Sequence, residues 1–323
     1  MSLLRSREAM LALAIALLLA LIAARFPAFV APPNLARVLN DTAPLILLAL
    51  GQTVVILTRC IDLSVAANLA LTGMAAATLN VAMPGLPVPL IVAGAVLMGA
   101  ALGAINGALV WKLTIPPIVV TLGTLTIYRG LVFVISGGEW INAHEMSPAF
   151  TALPRAEFLG LPLLGWTALI AVIGFALLIR YAPLGRAFYA VGGNPSAAVY
   201  AGIDPGRTQF WAFVLSGAVA GLTGYLWVAR YQVAYVDIAG GFELEVVAAC
   251  VIGGISIAGG VGTVAGTLLG ALFLGIVKNA LPVVGVSPFW QLAISGAAIV
   301  IAVIANGRAG RRAGRRILKD VPA

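Results

Sequence analysis

Long apolar segments, separated by short stretches rich in Gly and Pro, run through almost the whole of this 323-residue chain. Hydrophobic residues make up 62% of the chain and charged residues only 9%, whereas soluble domains carry about 25% charged residues. A segment of about 20 apolar residues is long enough to cross a bilayer as a helix. The sequence therefore predicts an all-α polytopic membrane protein, in which residues 1–323 form one transmembrane domain.

Ten of these segments are predicted to span the membrane. They cover residues 9–24, 43–58, 63–82, 88–111, 117–136, 162–179, 209–229, 246–258, 261–281 and 289–306. Only RCID separates the second span from the third, and only GG separates the eighth from the ninth. These spans are predicted to be broken or partial helices, which is possible where irregular backbone is buried in protein. No convincing cleavage motif follows the first span, which is therefore predicted to be an uncleaved helix.

Lys and Arg are distributed unequally between the two sides of the predicted membrane. Thirteen of the nineteen lie on the side of the N-terminus, and six of these belong to a tail at 307–323. Because cytoplasmic loops carry an excess of Lys and Arg, both termini are predicted to be cytoplasmic in a bacterial inner membrane. Residues 180–208 then face the cytoplasm, and residues 137–161 and 230–245 face outward. The basic tail favours contact with anionic lipid headgroups over nucleic-acid binding.

A weak internal repeat relates the two halves of the chain. A shift of 172 residues aligns Gly94 with Gly266, Gly103 with Gly275 and Pro116 with Pro288, among other matches. Some matches are expected by chance in a chain so rich in Ala, Gly and Leu. The shift pairs the fourth span with the ninth, which predicts inverted repeats with a solute route at their interface.

The sequence contains no recognisable catalytic constellation. His144, the only histidine, is predicted to be a polar loop residue rather than a catalytic or metal-binding group. Cys60 and Cys250 lack metal-type spacing and are predicted to pack as small apolar residues. The Gly-rich stretch 253–266 has spacings like those of a phosphate loop, but no soluble strand precedes it, so it is predicted to allow close helix packing. We therefore expect the chain not to be an enzyme.

Polar residues cluster between the second and third spans, in LTRCIDLSVAANLALTG. Arg59 and Asp62 are three residues apart, so they could pair on one helix face; alternatively, both are solvated at the cytoplasmic interface. Polar side chains at membrane depth usually face an interior cavity. The candidate translocation route comprises Asp62, Ser64, Asn68, Asn106, Gln232 and Asn279. Mostly neutral polar groups suit an uncharged, hydroxyl-rich solute.

The stretch GRAFYAVGGNPSAAVYAGID, residues 185–204, is the least apolar segment of its length in the middle of the chain. Ser196 is predicted to cap a short helix, and Gly202 is predicted to end it. Gly192-Gly193 and the Asp204-Pro205-Gly206 segment are predicted to be hinges on either side. A short exposed helix of small and aromatic residues would fit a groove on a partner protein.

Three motifs carry a resemblance to a known family. VVILTRCIDLSVAANLALTG, PLGRAFYAVGGNPSAAVYAGI and GFELEVVAACVIGGISIAGGVGTVAGTLLGALFLGIVKNAL occur in the family's order, within a match over residues 10–306. They resemble the permease subunits of ribose-type bacterial sugar importers of the ATP-binding-cassette class. The chain looks closest to the rhamnose and autoinducer-2 permeases, although Arg59 and Cys60 stand where many members have small residues.

The resemblance implies a multisubunit importer for a small sugar or sugar-like solute. A second permease, identical or paralogous, two cytoplasmic ATPase subunits and a periplasmic binding protein would be the partners. ATP and Mg²⁺ would bind the ATPase, and this chain would hold no cofactor. The element that couples to the ATPase would comprise Gly185, Arg186, Gly192, Gly193, Asn194, Pro195, Ala201, Gly202 and Asp204.

An ion-coupled secondary transporter is the alternative function. Such a protein would need no ATPase, and its coupling ions would require acidic residues near the bilayer midplane. The sequence has no cluster of acids within its spans. This absence and the partner-type stretch at 185–204 favour the importer permease.

Overall fold

The structure, a computed structural model, describes residues 7–287 and positions 290, 293, 296 and 297. The fold of this part is helical. Its α-helices are α1 (Arg7–Arg25), α2 (Pro32–Leu57), α3 (Val65–Ala82), α4 (Val88–Leu113), α5 (Pro117–Ser136), α6 (Pro148–Ala152), α7 (Leu163–Tyr181), α8 (Pro183–Gly193), α9 (Pro195–Tyr200), α10 (Pro205–Tyr231), α11 (Phe242–Ile252) and α12 (Val264–Val283). Short 3-10 helices lie at Pro27–Val30 and Leu153–Arg155.

Eight of the described helices are long and apolar enough to cross a membrane: α1, α2, α3, α4, α5, α7, α10 and α12. They correspond to eight of the ten predicted spans and confirm the all-α polytopic class. The span predicted at 246–258 is a partial helix, because α11 has 11 residues and ends at Ile252. The backbone is irregular between Leu57 and Val65, as predicted, but α2, α3 and α12 are each continuous, so the prediction of broken or partial helices was wrong for these three spans. Most of the tenth predicted span, 289–306, lies outside the described residues.

Six of the twelve described α-helices begin with a proline. They are α2, α5, α6, α8, α9 and α10, which begin at Pro32, Pro117, Pro148, Pro183, Pro195 and Pro205. At this position the missing N–H has no intrahelical partner to lose, and the fixed φ already suits a helix. These prolines therefore fix where the six helices begin.

Two helices, α2 and α10, form the centre of the bundle. In α2, 89% of the 18-residue window that defines the span is buried, against 6% in α1 and 17% in α7. The main hydrophobic core joins side chains from α2, α3, α10, α11 and α12. Large apolar side chains on α1, α4, α5 and α7 remain exposed, as expected of faces that contact lipid.

Glycines allow α4 and α10 to pack with their backbones in contact. A Cβ on Gly99 would overlap the carbonyl oxygen of Gly217, and a Cβ on Gly103 would overlap that of Phe213. Small residues at such a seam permit the close approach that drives helix association in membranes. The α4–α10 seam is thus fixed by residues that lack a side chain.

The packing supports the predicted repeat. Gly103 of α4 lies against Phe213 of α10, whereas Gly275 of α12 lies against Thr42 of α2. The 172-residue shift relates Gly103 to Gly275, and it relates position 42 to position 214, next to Phe213. The shift thus relates α4 to α12 and α2 to α10. The contact of α4 with α10 then corresponds to the contact of α12 with α2, as a two-fold pseudo-repeat requires.

Two of the longer connections meet at one end of the bundle. Strand β1 (Ile141–Asn142) pairs antiparallel with β4 (Val233–Ala234), and the rings of Trp140 and Tyr235 lie 5.1 Å apart. A second hairpin, β2 (Glu157–Phe158) with β3 (Leu161–Pro162), precedes α7. The predicted outward loops 137–161 and 230–245 therefore form one surface.

Candidate functional site

The stretch 185–204 folds as two short helices, α8 and α9, between α7 and α10. Asn194 caps α9 by accepting a hydrogen bond from the backbone N–H of Ala197 at 3.1 Å. The prediction that Ser196 is the cap was wrong, because Pro195 already occupies the first helical position and the capping side chain must precede it. Gly202, with a φ of 78°, ends the helical segment as predicted.

Each of the two predicted hinges contains one glycine that packs closely against another part of the bundle. Gly192 and Gly193 belong to the last turn of α8, and a Cβ on Gly192 would overlap the carbonyl oxygen of Leu57. Asp204 caps α10 by accepting from the backbone N–H of Arg207 at 3.0 Å. A Cβ on Gly206 would overlap the ring of Trp111. Gly192 and Gly206 thus hold the two ends of the segment against the bundle, whereas Gly193 has open space around it; that these ends act as hinges stays a prediction.

A surface groove of about 540 Å³ runs beside α8 and the start of α10. Gly202, Asp204 and two cations, Arg186 and Arg207, lie in its lining. Next to it, Tyr200 of α9 is 93% exposed. Gly185 holds the corner between α7 and α8, since a Cβ there would overlap the carbonyl oxygen of Leu178. The segment thus presents an exposed helix and a groove on a rigid base.

Three chain segments converge beneath α8, at what we term the α8 junction: residues 57–60, 189–193 and 259–262. Gly260 donates its backbone N–H to the carbonyl of Leu57 at 3.0 Å, and the hydroxyl of Tyr189 donates to the carbonyl of Gly262 at 2.7 Å. Backbone contacts of Gly192 with Gly260 complete the junction. The Gly-rich stretch 253–266 therefore serves close packing, as predicted.

Arg59 belongs to this junction and does not pair with Asp62. Its Nε donates to the carbonyl of Gly192 at 2.7 Å and its Nη2 to the carbonyl of Gly193 at 2.9 Å. The predicted pairing required both residues on one helix face, but α2 ends at Leu57 and α3 begins at Val65. The alternative, that both groups are solvated, was wrong for Asp62, which is 2% exposed.

Four of the predicted route residues lie together between α2, α3 and α4, each 2% exposed or less: Asp62, Ser64, Asn68 and Asn106. Ser64 donates its hydroxyl to Asp62 Oδ1 at 2.6 Å. Asn106 Nδ2 donates to Ser64 Oγ at 2.8 Å, and Asn68 Nδ2 donates to the carbonyl of Gly99 at 3.1 Å. Burial raises the pKa of Asp62 to about 6, although the hydrogen bonds from Ser64 oppose the shift.

The other two predicted route residues lie apart from this cluster. Gln232 follows α10 with a φ of 57°. Asn279 belongs to α12, where its Nδ2 donates to the carbonyl of Gly275 at 2.9 Å. It also lines a cavity of about 540 Å³ that Trp227 and Lys278 line as well. The six residues therefore do not form one site, and their role in a route stays a prediction.

Sequence reasoning missed Arg129, an arginine inside the apolar helix α5. Its Nη1 and Nη2 donate to the carbonyls of Ile238 and Ala239 at 2.5 and 3.0 Å. At the other end of α5, Thr121 donates its hydroxyl to the carbonyl of Ile61 at 3.2 Å. α5 is thus attached to the irregular backbone on both sides of the bundle. An arginine within an apolar span was the signal that could have identified it.

Comparison with known proteins extends over most of the chain. Residues 34–303 match the family described as branched-chain amino acid transport system / permease component. The autoinducer 2 import system permease protein LsrC of Salmonella typhi is 35% identical over 94% of this chain and 86% of its own length. The ribose import permease protein RbsC of Escherichia coli K12 is 35% identical over 92% of each chain. No solved structure matches the chain.

Proposed function

Because the chain belongs to the family of branched-chain amino acid transport system permease components, we propose that it is the membrane-spanning subunit of an ATP-driven importer for a small sugar or sugar-like solute. One observation carries the substrate class: relatives named as ribose and autoinducer 2 import permeases match more than nine tenths of the chain. The mostly neutral polar cluster between α2, α3 and α4 is consistent with an uncharged, hydroxylated solute. A rhamnose-like solute belongs to the same class.

The α8–α9 segment is the surface that we assign to the ATPase. It offers an exposed helix, a groove with Arg186 and Arg207 in its lining, and a base anchored at Gly185 and Gly192. A rigid base is required because a docking element can pass on a displacement only if it moves as one body. ATP and Mg²⁺ would be held by that partner, and this chain would supply the attachment.

The surface at the other end of the bundle is the one that we assign to a periplasmic binding protein. The β1–β4 ribbon joins the two connections that form it. This assignment places both termini in the cytoplasm of a bacterial cell, in agreement with the excess of Lys and Arg on the side of α8. Solute specificity would then depend largely on the binding protein.

The exposed face of α5 is the surface that we assign to a second permease, identical or paralogous. A Cβ added to Gly123 or Gly130 would meet no atom of the described residues within 4 Å, and Thr126 between them is exposed. Small residues seven positions apart on one helix face allow another helix to approach closely. The solute route would lie beside this face.

Reconstitution in liposomes tests the proposal. The chain is inserted together with the ATPase and the binding protein of its importer, and uptake of radiolabelled D-ribose, with L-rhamnose as a second probe, is followed with ATP or a non-hydrolysable analogue inside. We expect uptake of at least one sugar with ATP and none with the analogue. Uptake by the chain alone, driven by an ion gradient, would instead establish a secondary transporter and contradict the proposal.

A further inference from the structure

Arg59 adopts a backbone conformation that residues with side chains rarely adopt. Its φ is 66°, in the left-handed region, immediately after Thr58, the residue that caps the end of α2. A non-glycine residue in this region persists where surrounding contacts hold it. Two backbone hydrogen bonds of the helix C-cap hold it here, because the N–H groups of Arg59 and Cys60 donate to the carbonyls of Ile56 and Val55 at 2.9 and 3.2 Å. The conformation directs the side chain away from α2, and its guanidinium donates two hydrogen bonds to Gly192 and Gly193 of α8.

These two carbonyls are the ones that α8 cannot satisfy itself. The last four carbonyls of a helix have no intrahelical donor, and Gly192 and Gly193 are the last two residues of α8. A cation at this end is also favoured by the helix dipole. Arg59 therefore caps α8 from a segment 133 residues earlier in the chain.

The segment that carries Arg59 leads directly into the buried polar cluster. Asp62 lies three residues further on and accepts hydrogen bonds from both the backbone N–H and the hydroxyl of Ser64, at the start of α3. Between them and Arg59, the carbonyl of Ile61 accepts a hydrogen bond from Thr121 of α5. A displacement of α8 that moves Arg59 would thus also move Ile61 and Asp62, and through their hydrogen bonds it would act on α5 and on the start of α3.

We propose that Arg59 is the positioning residue that transmits movement of the ATPase-docking helix α8 to α3 and α5. This inference rests on the proposed function of the chain as an importer subunit. The planar guanidinium donates to two adjacent carbonyls at once, whereas the ammonium group of a lysine is a flexible point charge. Arginine is therefore required to hold both carbonyls at the end of α8.

The ratio of ATP hydrolysed to solute taken up tests the proposal in the reconstituted complete importer. In Arg59→Ala we expect uptake to fall at least tenfold, while ATP hydrolysis stimulated by the binding protein stays within twofold of wild type. Arg59→Lys, which keeps the charge and can keep one hydrogen bond, should give an intermediate ratio. Lys112→Ala removes another exposed cation at the end of α4, which contacts the ring of Trp111, and should leave the ratio unchanged.

A purely structural role for Arg59 gives a different result. Uptake and hydrolysis would then fall in parallel, the ratio would stay that of wild type, and the proposal would be overturned. If the Arg59→Ala importer does not assemble, the ratio of ATP hydrolysed to solute taken up is measured in Arg59→Lys: a raised ratio supports the proposal, and the wild-type ratio overturns it. Absence of ATP-dependent uptake in the wild-type importer would contradict the proposed function itself, whereas normal uptake with an unchanged ratio in the variants contradicts only the role of Arg59.

Discussion

Adjacent glycines in α8 provide a matched pair for testing the α8 junction. A Cβ on Gly192 would overlap the carbonyl oxygen of Leu57 and the backbone nitrogen of Gly260, which are the two ends of one hydrogen bond. A Cβ on Gly193 would meet no atom of the described part of the chain within 4 Å. Gly192→Ala therefore forces the junction apart, whereas Gly193→Ala adds a methyl group to open space.

The size of the difference follows from the contacts that change. Alanine in place of a helical glycine favours folding by about 0.5–1 kcal/mol, and less at the last turn of a helix. In Gly192→Ala this gain is opposed by overpacking, which costs about 1–3 kcal/mol, and by loss of the Gly260–Leu57 hydrogen bond, which costs about 1–3 kcal/mol if both groups stay buried. We expect a net destabilisation of about 3 kcal/mol for Gly192→Ala and a change within about 0.5 kcal/mol for Gly193→Ala.

Unfolding in mixed detergent micelles measures this difference. Both variants and wild type are titrated with SDS, and the free energy of unfolding is obtained from helical circular dichroism by linear extrapolation. Far-UV spectra before titration show whether the variants begin from the same helical content. Equal stability of the two variants would refute the packing that we describe beneath α8, because that packing gives close contacts to Gly192 and none to Gly193.

Three further predictions concern other parts of the bundle. Burial raises the pKa of Asp62 from 3.8 to about 6, so the free energy of unfolding falls by about 3 kcal/mol as pH rises from about 3 to about 7. Asp62→Asn should flatten this pH profile, and a slope equal to wild type in SDS titrations would contradict the shift. Gly103→Val should lower the free energy of unfolding by about 2 kcal/mol or more in the same titration, because a Cβ there overlaps the backbone of Phe213. Gly94→Val is the control: it has open space around it and should cost no more than the helix propensity of valine accounts for. Similar losses in the two variants would rule out the close packing of α4 on α10. Arg129→Gln should lower the free energy of unfolding by about 2 kcal/mol, because two charge-assisted hydrogen bonds to the connection between α10 and α11 are lost. It should also speed proteolysis of that connection, and unchanged proteolysis would show that Arg129 does not hold it.

Composition and hydropathy were sufficient to predict the class of fold and eight of the helices. The boundaries were less accurate where polar residues lie inside a helix. The second span was predicted to begin at residue 43, but α2 begins at Pro32. The polar residues Asn40 and Asp41 made the preceding turns resemble a loop, although Asn40 is buried and Asp41 forms an ion pair with Arg230. A partner on another helix cannot be recognised from local sequence.

The candidate site was predicted in its location but not in its internal geometry. The least apolar stretch in the middle of the chain does form a surface segment, in which α9 is exposed and α8 is packed on the bundle. The contacts of Arg59 could not be predicted, because they depend on where α2 ends and on a carbonyl 133 residues away. Spacing of three residues suggests pairing only within a helix, and Arg59 and Asp62 lie outside one. The partners of Arg59 are therefore set by tertiary packing, which local periodicity does not reveal.

The burial of α2 has a consequence for how the protein is made. Side chains such as Gln52 and Thr53 are completely enclosed by neighbouring helices, and this helix has a lower mean hydropathy than α1, α4 or α7. Lipid is a poor solvent for such a segment, because amide and hydroxyl groups lose hydrogen bonds in hydrocarbon. We therefore expect α2 to become stable in the membrane only when later helices, α10 above all, surround it. A chain that ends before residue 231 should leave α2 in contact with lipid, and should hold it in the bilayer less stably than the full chain does.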